Sequence, residues 1–225
     1  MAKYNDIKMT IPVPPPRLSG INRLHTDEEP AYETADPAFA AIRCLGCGAK
    51  TGHETLANAL HSAAEFAIKA GADPALMPDP HLEADAALLP TPPANTKIVQ
   101  TVDMLSQVIA DPFRLGRIAA IHALSDLYAA NATPKTALAI INLTGAKQNL
   151  QQDQLTQLLA GSIIALADSG VRLVGGHTSE GAEMSIGFAA TGWRYRAPAP
   201  LNLTKPHQLV LSKPLGTGVI MAGHM

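Results

Sequence analysis

Short apolar segments alternate with longer helical patterns through the middle of this 225-residue chain, and this alternation most limits the folds it can adopt. Segments of strand length, rich in Val, Ile, Leu and Ala, are predicted as strands at 97–103, 136–143, 171–174 and 183–194. Apolar residues at three- and four-residue spacing predict helices at 51–70, 111–130 and 152–169. Strands interleaved with helices favour an α+β fold, an α/β sandwich whose mixed sheet is covered by helices on one face.

The predicted helices carry boundary signals. Asp111 followed by Pro112 is typical of a helix N-terminus, and Gly170 is predicted to end the helix at 152–169. The apolar stripe of the helix at 152–169 consists of Leu155, Leu158, Leu159, Ile163 and Leu166. Shorter elements are predicted as strands at 86–89 and 208–212, and as a helix that opens at the triplet 216–218.

Composition limits the classes of partner. Hydrophobic residues make up 47% of the chain and aromatic residues only 4%, so Ala, Leu, Ile and Val must build the core. The formal net charge of -2 indicates no basic face, and a nucleic-acid partner is therefore not expected. The sequence shows neither an apolar run of membrane-spanning length nor a secretory signal, so we expect no membrane partner and a cytoplasmic location.

The first candidate for chemistry is the glycine-rich segment 44–50, which contains both cysteines of the chain, Cys44 and Cys47. Glycines beside a cysteine let a ligand approach the backbone, and Lys50 could stabilise a thiolate or neutralise a phosphate. The alternatives are an incidental thiol pair in a loop and half of a zinc site. A zinc site needs four ligands, and the sequence has no second C-x-x-C pair.

The second candidate is a series of acids at Asp85, Asp103, Asp111 and Asp126. Magnesium is often bound by one or two carboxylates together with nucleotide phosphates. Asp103 ends a predicted strand, whereas Asp126 shares a helical stripe with Leu115 and is therefore expected to point inward. The alternative is ordinary helix caps and exposed acids, which suits Asp111 better because Pro112 follows it.

The third candidate is Gly175-Gly176-His177-Thr178, which follows a short apolar strand. A glycine turn at a strand end can present backbone N–H groups to a phosphate. The signal is weak on its own because many turns contain two glycines. The segment also lacks the P-loop pattern, and no G-x-G-x-x-G follows a strand.

Taken in order, these segments resemble the selenophosphate synthetase family, within the larger group that includes aminoimidazole ribonucleotide synthetase. The matching stretches are 44–50, 84–87, 100–103, 111–120, 123–126, 175–178 and 213–218. The resemblance implies that Cys47 is the reactive cysteine and Lys50 the catalytic lysine that contacts ATP. Further residues implied to contact ATP are Asp103, Gly176, His177 and Thr178, and those implied to bind Mg²⁺ are Asp85 and Asp126. The implied reaction turns ATP, selenide and water into selenophosphate, AMP and phosphate.

The resemblance also implies partners and neighbouring domains. Cys-Gly-Ala-Lys followed by Gly-Gly-His-Thr is similar to the subgroup fused behind a flavin-dependent oxidoreductase domain. The proline-rich residues 1–40 would be a flexible linker or arm, 41–200 the ATP-binding domain, and 201–225 the start of a truncated C-terminal domain. A homodimer is implied, in which strands such as 183–194 build a barrel across the interface.

Two departures from the family pattern are present in the sequence, and two alternative functions stay open. Ala84 precedes Asp85 where the family often has paired acids, and His122 stands where Asn is frequent. A related ATP-dependent enzyme of purine or thiamine metabolism is one alternative, although those relatives generally lack the Cys-Gly-Ala-Lys segment. The other alternative is a non-catalytic nucleotide-binding or dimerisation fragment.

Overall fold

The computed structural model describes residues 50–79, 86–196, 204, 208, 210, 211 and 214–223. Its strands are β1 (Lys97–Ser106), β2 (Thr133–Thr144), β3 (Arg172–Gly181) and β4 (Ser185–Arg194). Its helices are α1 (His53–Lys69), α2 (Pro112–Ala129), α3 (Gln148–Asp168) and α4 (Thr217–Gly223), with a 3₁₀ turn at Pro74–Leu76. The strand and helix patterns of the segment 97–194 thus form the elements that the sequence predicts, and α4 confirms the helix expected to open at 216–218.

The strands form one mixed sheet in the order β1-β4-β2-β3. β4 runs antiparallel to both β1 and β2, whereas β2 and β3 are parallel. β1 and β3 are therefore the outermost strands of this sheet. The expectation of an α+β fold with a mixed sheet is confirmed.

Helices α2 and α3 pack against the sheet on the side that we call the inner face, and α1 packs on α3. The inner face is fully buried along β4, where Ile186, Phe188 and Ala190 have no exposed surface. The stripe predicted for α3 is buried as expected, since Leu155, Leu158, Leu159, Ile163 and Leu166 are at most 2% exposed. The core therefore lies between the inner face and the helices.

Two glycines let α2 and α3 approach closely. A Cβ atom on Gly161 would overlap the carbonyl oxygen of Phe113, and one on Gly116 would overlap that of Leu158. The helix backbones approach closely at these positions, which fixes the separation between α2 and α3. This separation matters because α2 carries one of the predicted site residues.

The opposite side of the sheet, which we call the outer face, remains open in the single chain. Ile98, Val102 and Met104 alternate along β1 on this face and are 60%, 63% and 47% exposed. Their cross-strand partners on β4 are Trp193, Ala189 and Gly187. The outer face therefore presents apolar side chains that no described element covers.

Three expectations about secondary structure are wrong. Residues 86–89 form no strand, because Leu88 is 94% exposed and Pro90 follows directly. Of the strand expected at 208–212, the described residues 208, 210 and 211 are not in a strand. The glycine turn expected at 175–178 is part of β3, because both glycines pair with β2 after a bulge at Val174.

Several predictions fall outside the described residues. These include the arm at 1–40, both cysteines and Asp85. Among the helices that the structure describes, none combines the length and the apolar character needed to cross a membrane.

Candidate functional site

The structure divides the described candidate residues between the two outermost strands of the sheet. Asp103 and Asp126 lie at β1 and α2, in a group that we call the acidic edge. Lys50, His177 and Thr178 lie at β3, in a group that we call the β3 edge. Three strand spacings of about 4.8 Å separate β1 from β3, so these two strands are about 14 Å apart, and Lys50 lies on the far side of β3.

The acidic edge consists of two side-chain pairs between β1 and α2. The Thr101 hydroxyl donates to Oδ2 of Asp126 at 3.1 Å, and Nε2 of His122 lies 3.9 Å from Oδ1 of Asp103. Thr101 and Asp103 are two residues apart on the inner face of β1, while His122 and Asp126 are one turn apart on α2. Strand and helix periodicity thus place both carboxylates on neighbouring surfaces of rigid elements.

Asp126 is exposed, so the expectation that it points inward is wrong. Leu115 and Ala119 of the same stripe are buried, but His122 is already 51% exposed. The stripe leaves the core because its later residues face β1, the outermost strand. A carboxylate in this position keeps access to solvent and can accept a ligand without the cost of full burial.

Asp111 has the structural role that its neighbour Pro112 predicts. Its Oδ1 accepts a hydrogen bond from the backbone N–H of Arg114 at 3.1 Å, which caps α2. Its Oδ2 also lies 3.4 Å from Nε of Arg114. The cap interpretation of this acid is therefore confirmed.

At the β3 edge, a short stretch of chain is added to the outermost strand. Lys50 pairs with Ser179 as an isolated antiparallel bridge, and the Thr51 N–H donates to the carbonyl of Thr178 at 3.1 Å. Lys50 and His177 are exposed, and Thr178 is half-buried. Backbone pairing thus brings the described end of the Cys-Gly-Ala-Lys segment beside the Gly-Gly-His-Thr segment.

Gly176 is required by the sheet itself. A Cβ atom there would overlap the backbone oxygen of Ala139 on β2, and its φ is 155°. This glycine therefore permits the close parallel pairing of β2 and β3. Any contact of Gly176 with a phosphate would come in addition to that structural role.

The chemistry of the acidic edge fits a magnesium–nucleotide complex. The described ranges contain no group of three or more His, Cys, Asp or Glu side chains that could hold a metal ion by themselves. Two carboxylates, from Asp103 and Asp126, are nevertheless available, and magnesium commonly takes one or two carboxylates with phosphate oxygens and water. The donor set thus suits a cation that arrives with ATP better than a metal held by protein alone.

Residues outside the predicted set take part in this arrangement. Thr101 holds Asp126, and His122 lies beside Asp103; the spacings Thr101–Asp103 and His122–Asp126 would have indicated both from sequence alone. Asn142 accepts a hydrogen bond from Ser179 on the strand that pairs with Lys50. No local spacing predicts that contact, because it depends on the register between two distant strands.

The chain is similar to a known protein family and to curated relatives. Residues 83–193 match the family model described as AIR synthase related protein, N-terminal domain. A selenide, water dikinase of Citrifermentans bemidjiense is 37% identical over 181 residues, which are 80% of this chain and 50% of that protein. A selenide, water dikinase of Desulfitobacterium hafniense is 36% identical over 184 residues, which are 79% of this chain and 50% of that protein. The chain thus spans about half the length of the curated relatives it matches.

A solved structure, a thiamine-monophosphate kinase from Stenotrophomonas maltophilia, matches with 26% identity and a TM-score of 0.42. The match covers 50% of this chain and 38% of that one.

Proposed function

We propose that this chain is the ATP-binding half of a selenophosphate synthetase, because residues 83–193 match the family model described as AIR synthase related protein, N-terminal domain. The observation that carries the proposal is the 37% identity to a selenide, water dikinase over 80% of the chain. The proposed reaction converts ATP, selenide and water into selenophosphate, AMP and phosphate. The arrangement of acidic and basic groups supports this chemistry.

Each described candidate has a role that its position supports. Asp126 would hold Mg²⁺ together with the phosphates, Asp103 would contact ATP, and the bound cation would neutralise charge on the phosphate chain. The Lys50 ammonium is exposed beside β3 and would stabilise negative charge on a phosphate oxygen. Thr178 and His177 would add donors from β3. Cys47 would position selenium, and Asp85 would complete the magnesium ligands; both lie outside the described residues.

The separation of the two edges supports a homodimer. About 14 Å of sheet separates β1, which carries Asp103, from the strand that carries His177, and this separation favours a site to which two chains contribute. A homodimer would supply the second group from the other copy, and the outer face is the surface proposed for association. The exposed apolar side chains of Ile98, Val102 and Met104 suit such a contact, because they would leave water on association.

Two further parts of the proposal rest on sequence alone. The similarity to the subgroup with a flavin-dependent oxidoreductase domain predicts such a fusion. A cytoplasmic location likewise stays a prediction, which fractionation of the source cells would check.

The proposed function is tested by measuring turnover with the protein isolated from its source. Incubation with ATP, Mg²⁺ and selenide should give AMP by chromatography and selenophosphate by ³¹P NMR. Cys47→Ser and Lys50→Ala should each abolish both products. AMP formation that persists unchanged in both variants, or that needs no selenide, would refute the assignment.

The isolated chain provides a second test. Calorimetric titration with ATP and Mg²⁺ should show binding that requires the cation. If the nucleotide binds equally well with the cation chelated, the acidic edge does not hold a metal–ATP complex.

A further inference from the structure

A row of hydrogen-bonded polar side chains crosses three strands on the outer face, beside the segment that carries Lys50. The Ser179 hydroxyl on β3 donates to Oδ1 of Asn142 on β2 at 2.6 Å. Nδ2 of Asn142 in turn donates to the Ser185 hydroxyl on β4 at 2.9 Å. Asn142 is the cross-strand partner of both serines, so the three side chains form one continuous row, which we call the Asn142 row.

The Asn142 row includes Ser179, the residue on β3 whose backbone pairs with Lys50. Ser179 contributes its backbone to the bridge with Lys50 and its side chain to Asn142. The adjacent Thr178 carbonyl accepts the N–H of Thr51. The Thr51 hydroxyl is buried and has no partner among the described residues, so it does not help to anchor the segment. The placement of Lys50 therefore depends on where Ser179 and its neighbour lie.

β3 is irregular before Ser179. A bulge at Val174 interrupts its pairing with β2, and Gly175 and Gly176 have no side chains to pack. β3 is also outermost, so β2 is its only neighbouring strand in the described sheet apart from the bridge at Lys50. The hydrogen bond to Asn142 adds a side-chain contact to the backbone pairing at the part of β3 that receives Lys50.

We propose that Asn142 is a positioning residue for Lys50: it holds Ser179, and Ser179 holds the backbone of Lys50 so that the ammonium group is aimed at the nucleotide phosphates. This inference rests on the proposed role of Lys50. A row that merely stabilises the sheet would change the stability and leave the ATP affinity of the folded protein unchanged. An ammonium group that is misplaced instead loses its charge-assisted hydrogen bond to the phosphate, which is stronger than a neutral one.

The experiment is a double-mutant cycle on ATP–Mg²⁺ affinity in the full chain. Asn142→Leu, which keeps the branched side-chain shape, should weaken binding about tenfold in the wild-type background, the scale of losing one hydrogen bond to a charged group. It should have no further effect in the Lys50→Ala background. Hydrogen exchange of the Thr51 amide should be faster in Asn142→Leu, because its bond to Thr178 opens more often.

A matched control and a second variant keep the result interpretable. Thr191→Val removes the acceptor of the Gln100 side chain on the same face, about 20 Å along the strands from Asn142, and should change neither readout. Ser179→Ala removes only the hydroxyl that contacts Asn142 and should reproduce the effect if Asn142→Leu does not fold.

The outcomes separate the inference from the proposed function. If Lys50→Ala weakens binding but Asn142→Leu and Ser179→Ala do not, the positioning role is refuted and the proposed function stands. If Asn142→Leu weakens binding equally in both backgrounds, Asn142 acts on something other than Lys50 and the inference is also refuted. If Lys50→Ala has no effect, the proposed role of Lys50 fails and the inference fails with it.

Discussion

The acidic edge and the β3 edge place charged groups by different means. At the acidic edge, side chains from a helix and a strand of the core contact one another, and the Thr101–Asp126 hydrogen bond joins the two elements. At the β3 edge, backbone pairing, two glycines and a short added segment place Lys50. Rigid elements suit a carboxylate that is proposed to hold a cation, because small shifts of the ligand change the coordination. The β3 edge instead depends on strand pairing, so a mutation that disrupts it is expected to lower the stability of the fold before it changes ligand binding.

The largest expected effect concerns whether the two edges act together across a dimer. Val102→Glu places a charge in the middle of the apolar outer face, where the side chain is 63% exposed in the single chain. We expect a folded monomer that has lost ATP binding, because a buried unpaired carboxylate would oppose association. Light scattering coupled to size-exclusion chromatography checks the mass, and calorimetry checks binding.

The control for this variant is Ile121→Glu on α2, which changes a 55% exposed residue away from the outer face. It should remain dimeric and bind ATP. A Val102→Glu protein that remains a dimer would exclude the outer face as the interface. A monomer that binds ATP with unchanged affinity would show that one chain holds the complete site.

A smaller but still substantial effect is expected from Gly176→Ala, which tests the β3 edge. The added Cβ would overlap the Ala139 carbonyl oxygen, and backbone cannot move aside as a flexible side chain can. We expect a loss of about 2 kcal/mol in the free energy of unfolding, measured by denaturant titration. Gly181→Ala on the same strand is the control, because its Cβ would meet Asn142 at an ordinary 3.5 Å. Equal stability of the two variants would contradict the steric role of Gly176.

At the acidic edge, Asp126→Ala should change binding rather than stability. Asp126 is exposed, so its removal leaves the core intact, but it removes the acidic-edge carboxylate that is proposed to hold the cation. We expect ATP–Mg²⁺ affinity to fall about tenfold, as measured by calorimetry. Asp111→Ala on the same helix is the converse: it removes the cap and should cost about 1 kcal/mol of stability without changing affinity. If the two variants behave alike, Asp126 is an ordinary surface acid.

The same contrast explains how much the sequence could predict. The stripe on α3 and the cap at Asp111 follow from local periodicity, and the structure confirms both. The inward orientation of Asp126 was wrong because a helical stripe does not reveal where the helix passes the last strand of a sheet. The glycine turn at 175–178 was wrong because two glycines permit close strand pairing as readily as a turn. Both the orientation of Asp126 and the conformation of residues 175–178 depend on how distant elements pack and pair, which local sequence patterns do not show.

The smallest expected effect tests whether the acidic edge is preorganised. Thr101→Val keeps the branched shape that suits a strand but removes the hydroxyl that contacts Asp126 at 3.1 Å. A single hydrogen bond contributes about 1 kcal/mol net, so we expect ATP–Mg²⁺ affinity to fall by at most about fivefold while the melting temperature changes little. Thr101→Ser retains the hydroxyl and should restore most of the affinity. If valine and serine weaken binding equally, the loss comes from packing on β1. If neither does, Asp126 needs no partner to hold its position, and the rigidity of α2 and β1 alone distinguishes the acidic edge from the β3 edge.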